Sequence, residues 1–146
     1  MNIAFLGSPE PAVPILERIL ADGHVVRTVV TPPDRKRGRG GALVPTAVGL
    51  AAQRHGLTVV HRLADCDFTS VDIAVVVAYG RIIPSDLLAK VPMLNVHFSL
   101  LPRWRGAAPV ERAILAGDEV TGVCVMGIEP ELDTGPVYER RSTPIG

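Results

Sequence analysis

Short apolar runs alternate with helix-like stretches along the chain of 146 residues, and this alternation is the strongest constraint on its fold. The clearest run, residues 72–78, is continuous and rich in β-branched residues, which is typical of a strand buried on both faces. Runs of this kind predict strands at residues 3–6, 25–30, 57–60, 72–78, 93–96 and 123–128, and a further strand starting within 137–141.

Four helix-like stretches separate these runs. Ser8 is the predicted N-cap of the first helix and Pro9 its predicted first residue, with Gly23 at its end. The other helices are predicted at residues 45–55, 84–90 and 109–116. Strands that alternate with helices in this way indicate an α/β fold with a mostly parallel, doubly wound, Rossmann-like sheet and right-handed crossovers.

Composition limits the class of protein further. A length of 146 residues fits one domain, and fifteen basic residues balance fifteen acidic ones, so net charge alone indicates no nucleic-acid or membrane partner. No apolar run approaches the roughly 20 residues that span a bilayer, and the N-terminus lacks a signal-peptide pattern. Cys66 and Cys124 have no metal-type spacing, and Cys124 is predicted to be a buried thiol. We expect a soluble, cytoplasmic protein.

Three polar residues lie at or after the ends of apolar runs. In open α/β sheets, ligands bind in the crevice beyond the carboxyl ends of the strands. Asn95 and His97 are two positions apart on a predicted strand, so their side chains point to the same face. Asp133 follows a later run. An amine that attacks an acyl carbon needs a donor to the oxyanion, for which Asn95 is suited. His97 is suited to proton transfer, and Asp133 to orienting it and stabilising its charged form.

Other chemistries fit the sequence less well. Ser99 does not lie in a G-x-S-x-G elbow, as the nucleophile of a serine hydrolase would. There is no H-E-x-x-H motif and no His/Cys cluster for a metal. The turn after the first strand lacks the G-x-G-x-x-G spacing of a dinucleotide site. Acyl or formyl transfer without a metal is the best chemical match.

A basic, glycine-rich segment covers residues 32–41 and is predicted to be a loop. Its cations are Arg35, Lys36, Arg37 and Arg39. Cations on a glycine-flanked backbone suit contacts with nucleic-acid phosphates, which position a nucleic acid without reading its sequence. A solvated surface loop without a partner is the alternative interpretation.

These residues belong to motifs that resemble the formyltransferase family that uses 10-formyltetrahydrofolate. The motifs are residues 95–102, 104–109 and 132–135. Within the family, residues 33–40 make the chain most similar to the members that formylate methionyl-tRNA, because they resemble the tRNA-contacting loop of those members. Residues 76–84 resemble the segment that lines the folate pocket of the family. Phe98 departs from the pattern, because many relatives carry glycine or alanine there.

The resemblance implies a role for each matching residue. The catalytic residues would be Asn95, His97 and Asp133. The residues that help bind the folate would be Tyr79, Gly80, Ile82, Ile83, Ser99, Leu100, Leu101 and Pro102. The residues that approach the tRNA would be Arg35, Arg37 and Arg39.

The resemblance also implies a reaction and its partners. The formyl group of 10-formyltetrahydrofolate would pass, without a metal, to the α-amine of methionine esterified to initiator tRNA, for translation initiation. Relatives are expected to act as monomers and to continue beyond residue 146 into a C-terminal β-barrel domain, so residues 1–146 would be an incomplete catalytic domain.

Two other functions remain open at this point. One is a folate-dependent formyltransferase that acts on a small amine, such as a nucleotide sugar or glycinamide ribotide. The other is a non-catalytic, truncated remnant that binds folate or RNA. The basic segment argues against a small acceptor, which has no evident need for it.

Overall fold

The first half of the chain is organised around strand β1 (Asn2–Gly7), which is buried almost throughout. The computed structural model describes all residues from 1 to 146, which form two compact units, Met1–Ile82 and Ile83–Gly146. The elements of the first unit are β1, α1 (Val13–Ala21), β2 (Val25–Val30), β3 (Arg35–Lys36), β4 (Leu43–Val44), α2 (Ala47–Arg54), β5 (Val59–Val60) and β6 (Ile73–Val77).

The main sheet of the first unit is parallel. Strand β1 pairs with β2 on one side and β6 on the other, and β2 pairs with β5. Phe5, Leu6 and Val77 have no solvent-exposed surface, as expected for strands covered on both faces. The strands predicted at 3–6, 25–30 and 72–78 are confirmed, and the one predicted at 57–60 shortens to β5.

The first helix begins later than the sequence indicates. Ser8 does not cap it and Pro9 is not its first residue, because residues Glu10–Ala12 form a 3-10 turn and α1 starts at Val13. The reason is Pro14, which has no backbone N–H to donate within a helix. With a start at Pro9 it would lie in the helix interior, whereas in α1 it lies in the first turn, where no such donor is needed.

The basic segment is not entirely loop. Strand β3 pairs antiparallel with β4, and this small sheet forms a hairpin that we call the basic hairpin, residues 35–44. Gly38 and Gly40 both have a φ of +74°, a conformation that favours glycine, and they allow the chain to turn between the strands. Strands of two residues are too short to leave a periodic pattern, which explains why composition alone predicted a loop.

The second unit is antiparallel. Its elements are α3 (Ser85–Leu88), β7 (Met93–His97), α4 (Pro109–Leu115), β8 (Val120–Gly127) and β9 (Val137–Pro144). Strand β8 pairs antiparallel with both β7 and β9. These antiparallel pairs are compatible with the mostly parallel sheet that was predicted, but the sequence did not identify which strands would form them, because an apolar run specifies burial and not the direction of its neighbour.

A small core supports these strands. Leu101, Cys124 and Met126 are buried together, and Val137 packs against them. Cys124 has no exposed surface, which confirms the prediction of a buried thiol. None of the helices is both long and apolar enough to cross a bilayer.

Candidate active site

Strand β7 places two of the predicted catalytic residues. Asn95 lies opposite Met126 of β8, and His97, the last residue of β7, lies opposite Cys124. Because alternate residues of a strand share a face, the Asn95 and His97 side chains project from the same side of β7. Asn95 is half-buried, whereas His97 is 7% exposed. The imidazole therefore lies in an environment largely shielded from water.

A hydrogen bond from the His97 ring determines which of its two nitrogens carries the proton when the ring is neutral. Nε2 lies 2.9 Å from the backbone carbonyl oxygen of Trp104. A carbonyl oxygen only accepts, so Nε2 carries a proton and donates it to this bond. In the neutral ring Nδ1 is then the unprotonated nitrogen, with a lone pair available to take up a proton. The geometry thus presents Nδ1 as the basic atom of the site.

Asp133 lies beside that basic atom. Its Oδ2 is 3.7 Å from His97 Nδ1, and its side chain is 8% exposed. This separation is too long for a hydrogen bond, so the ring is oriented by the Trp104 carbonyl rather than by Asp133. A buried carboxylate at this distance stabilises the imidazolium once Nδ1 has taken up a proton. Asp133 itself is held by the Gly106 backbone N–H, which donates to Oδ2 at 2.6 Å.

The loop between β7 and α4 is fixed by several polar contacts. The Ser99 hydroxyl is fully buried and donates to the Arg103 carbonyl oxygen at 2.7 Å. Asp118 accepts hydrogen bonds from Arg103 Nε at 2.8 Å, Arg103 Nη2 at 2.6 Å and Trp104 Nε1 at 2.7 Å. The Arg103 guanidinium also stacks 4.3 Å from the centre of the Trp104 ring. Hydrogen bonds from Arg103 and then Trp104 lower the pKa of the Asp118 carboxyl to about 2.

Asp118 and the Trp104 carbonyl were not predicted as parts of the site. Trp104 entered the sequence argument only within a family motif, and Asp118 did not enter it at all. Asp118 contacts residues 14 and 15 positions earlier, and no local sequence pattern signals a contact at that separation.

The residues expected to bind folate fall in different environments. In the first unit, Tyr79 is buried, which raises the pKa of its hydroxyl, and Gly80 has a φ of +75°. Ile82 is 94% exposed, so no packing within the chain occupies its side chain. In the second unit, Leu101 belongs to the core and the Ser99 hydroxyl is engaged with the loop. The others in that unit are Ile83 and Leu100, both half-buried, and Pro102, which is exposed.

The predicted tRNA-contacting residues lie on the basic hairpin. Arg35, Arg37 and Arg39 are all exposed. The ion pairs within the first unit involve other arginines, namely Arg18, Arg54 and Arg62. The three guanidinium groups are therefore accessible to an external anion. No group of three or more His, Cys, Asp or Glu residues is arranged to hold a metal ion.

Comparisons with known proteins agree on one family. The family model described as formyl transferase matches residues 1–146. A methionyl-tRNA formyltransferase of Ruegeria pomeroyi is 48% identical over 99% of this chain and 52% of its own length. One of Novosphingobium aromaticivorans is 50% identical with the same coverage. The chain thus spans about half the length of these curated relatives.

Solved structures show the same fold. A phosphoribosylglycinamide formyltransferase from Bacillus halodurans superposes with a TM-score of 0.79 at 22% identity, over 100% of this chain and 81% of that one. A sugar N-formyltransferase from a Shewanella species gives a TM-score of 0.70 at 18% identity, over 100% of this chain and 58% of that one. The predicted α/β, Rossmann-like fold class is confirmed, and the chain belongs to the formyl transferase family.

Proposed function

We propose that residues 1–146 belong to the catalytic domain of an enzyme that transfers the formyl group of 10-formyltetrahydrofolate to the α-amine of methionyl-initiator-tRNA. Its product would serve translation initiation. The observation that carries the proposal is that His97 Nδ1 lies 3.7 Å from the buried Asp133 carboxylate, on the face of β7 that also presents Asn95, in a chain about half identical to methionyl-tRNA formyltransferases.

Each catalytic side chain has one task in the proposed reaction. The amine nitrogen forms a bond to the formyl carbon, and the bond from that carbon to the folate nitrogen breaks. Asn95 donates an amide N–H to the oxygen that gains negative charge. His97 Nδ1 accepts the proton that the amine loses and returns it to the leaving folate nitrogen. Asp133 stabilises the imidazolium between these two proton transfers.

Two segments of the sequence would bind the folate, one within residues 79–83 and the other at residues 99–102. Tyr79, Gly80, Ile82 and Ile83 would offer backbone and apolar contacts to the formyl donor. The exposed side chain of Ile82 supports this assignment, because a large apolar group without packing is suited to an aromatic ligand. The segment that would complete the folate-binding residues comprises Ser99, Leu100, Leu101 and Pro102.

The acceptor would be held in part by the basic hairpin. Arg35, Arg37 and Arg39 present three accessible cations over five positions, which suits successive phosphates of an RNA strand. The hairpin favours a nucleic-acid acceptor over a small amine. Recognition by these residues would fix the position of the tRNA, and the terminal methionine would carry the reacting amine.

A comparison of acceptors tests this proposal. The encoded protein is given 10-formyltetrahydrofolate and either methionyl-initiator-tRNA, glycinamide ribotide or an amino nucleotide sugar, and the formylated product is measured. We expect formylation of methionyl-tRNA and none of the small amines. Preferential formylation of a small amine would replace this function with the alternative acceptor class, and binding of folate without any transfer would indicate a non-catalytic remnant.

A further inference from the structure

We propose that Asp118 is a positioning residue of the active site, which acts through Trp104 to determine which nitrogen of His97 carries the proton. This inference rests on the proposed function, because it concerns the nitrogen that serves there as the base. The hydrogen-bond partners of Asp118 are Arg103 and Trp104 rather than His97 or Asn95, so its influence has to pass through the intervening loop.

A continuous series of contacts links Asp118 to the imidazole. Asp118 accepts from the indole N–H of Trp104 at 2.7 Å, and the carbonyl oxygen of Trp104 accepts from His97 Nε2 at 2.9 Å. The preceding residue is held in the same way, since the Arg103 side chain donates to Asp118 at 2.6 and 2.8 Å and its carbonyl accepts from Ser99 Oγ. Asp118 thus holds the side chains of Arg103 and Trp104. The backbone carbonyl of Arg103 is bound by Ser99, and that of Trp104 by His97.

Trp104 needs this restraint because of its backbone conformation. Its φ is +61°, a left-handed conformation that is disfavoured for a residue with a bulky side chain. Such a conformation persists only where the surroundings hold it. Without the hydrogen bond and stacking that fix the indole, the backbone would relax towards an extended or helical conformation. Its carbonyl oxygen would then turn away from His97 Nε2.

The orientation of that carbonyl decides between the two neutral forms of His97. Asp133 Oδ2 lies 3.7 Å from Nδ1, and a carboxylate so close favours a ring with the proton on Nδ1. The Trp104 carbonyl favours a proton on Nε2. Only the second form leaves Nδ1 free to accept a proton from the amine. Asp118 therefore keeps His97 basic at Nδ1 by holding Trp104 in place.

A purely structural role for Asp118 predicts a different outcome. If Asp118 only stabilised the fold through its ion pair with Arg103, its loss would lower stability and leave the proton on His97 Nε2. The pair between Arg18 and Asp22 in the first unit is a suitable control, because its Arg Nε donates to both carboxylate oxygens at 3.0 Å. Loss of Asp22 removes an ion pair of the same type without touching the loop that contains Trp104.

The test is ¹⁵N NMR of the histidine rings in the Asp118→Asn variant, at a pH of about 9 where imidazole is neutral. His97 is assigned by comparison with the His97→Gln variant. We expect a protonated Nε2 in the wild type and in Asp22→Asn, and a shift of the proton towards Nδ1 in Asp118→Asn. We also expect kcat to fall about 10²-fold in Asp118→Asn with an unchanged KM for the formyl donor.

Two further measurements separate the outcomes. The Trp104→Phe variant removes the indole N–H and makes the ring smaller, but it keeps an aromatic side chain. It should shift the His97 proton to the same side, and combined with Asp118→Asn it should add no further loss of kcat. His97 shifts that stay at wild-type values in Asp118→Asn and Trp104→Phe would overturn the inference. A wild-type protein that does not formylate methionyl-tRNA would instead contradict the proposed function, while the ring shifts still test the role of Asp118.

Discussion

At the scale of single residues, the proposed chemistry depends on one nitrogen atom. His97 donates from Nε2 to a backbone carbonyl, which leaves Nδ1 as the base, 3.7 Å from the Asp133 carboxylate. The residue types were predictable from the sequence, because an amide and an imidazole two positions apart on a strand share a face. The ring orientation was not, because it depends on a carbonyl seven residues later whose direction no side-chain pattern encodes.

Removal of the proposed oxyanion donor should affect rate rather than folding. Asn95 is half-buried on β7, and Asn95→Ala deletes a polar group without introducing bulk. We expect kcat for formylation to fall about 10²- to 10³-fold, which is the usual effect of losing one donor to a developing oxyanion. Steady-state kinetics measure this, and a thermal melt shows that the variant is folded. Retention of full kcat would exclude Asn95 from the reaction.

The Asp118 ion pair should make stability depend on pH in the acid range. Its pKa is lowered from 3.8 to about 2 in the folded chain. Because the pKa of Asp118 is lower in the folded chain than in the unfolded chain, its ionised carboxylate stabilises the fold at every pH above the unfolded-state pKa. This contribution disappears as pH falls through the folded-state pKa. The difference in Tm between the wild type and Asp118→Asn should thus be constant from neutral pH to about 5 and narrow towards pH 2. A difference that does not change over this range would contradict the assignment of the ion pair.

At the scale of elements, apolar runs identified the strands but not all of their partners. The parallel strands of the first unit pair as expected, whereas β7, β8 and β9 pair antiparallel. Burial determines the apolar pattern, and burial is similar in both arrangements when both faces are covered. The start of α1 could be predicted only by taking the position of Pro14 into account. The two strands of the basic hairpin are too short to produce a periodic pattern in the sequence.

The basic hairpin should contribute to binding of the acceptor and little to chemistry. The variant Arg35→Gln/Arg37→Gln/Arg39→Gln removes three accessible cations from an exposed hairpin. We expect a higher KM for methionyl-tRNA, and each lost phosphate contact should reduce the slope of log affinity against log salt by about 1. Filter binding over a range of salt concentrations measures the slope.

Arg18 supplies the control for this experiment, because it is exposed and lies on α1 rather than on the hairpin. Arg18→Gln should leave both KM and the salt slope unchanged. An equal effect of Arg18→Gln and the hairpin variant would show that the hairpin has no specific role in binding tRNA.

At the scale of the whole molecule, family membership and local charge carry more information than overall composition. Fifteen basic and fifteen acidic residues give no net charge, yet three arginines within five positions form an accessible cationic segment. The family model covers all residues, and the proposed catalytic residues Asn95, His97 and Asp133 all lie in the second unit, Ile83–Gly146. The acceptor chemistry is thus assigned to one unit and the basic hairpin to the other.

The most direct test of this account is the rate at which the protein formylates methionyl-initiator-tRNA, compared with the rate of the His97→Gln variant. Glutamine approximates the size of the imidazole and can still donate to the Trp104 carbonyl, but it cannot accept the amine proton. We predict formyl-methionyl-tRNA from the wild type and a rate lower by about 10²- to 10⁴-fold in the variant. Equal rates for the two proteins, with the same folded stability, would contradict a role of His97 as the base.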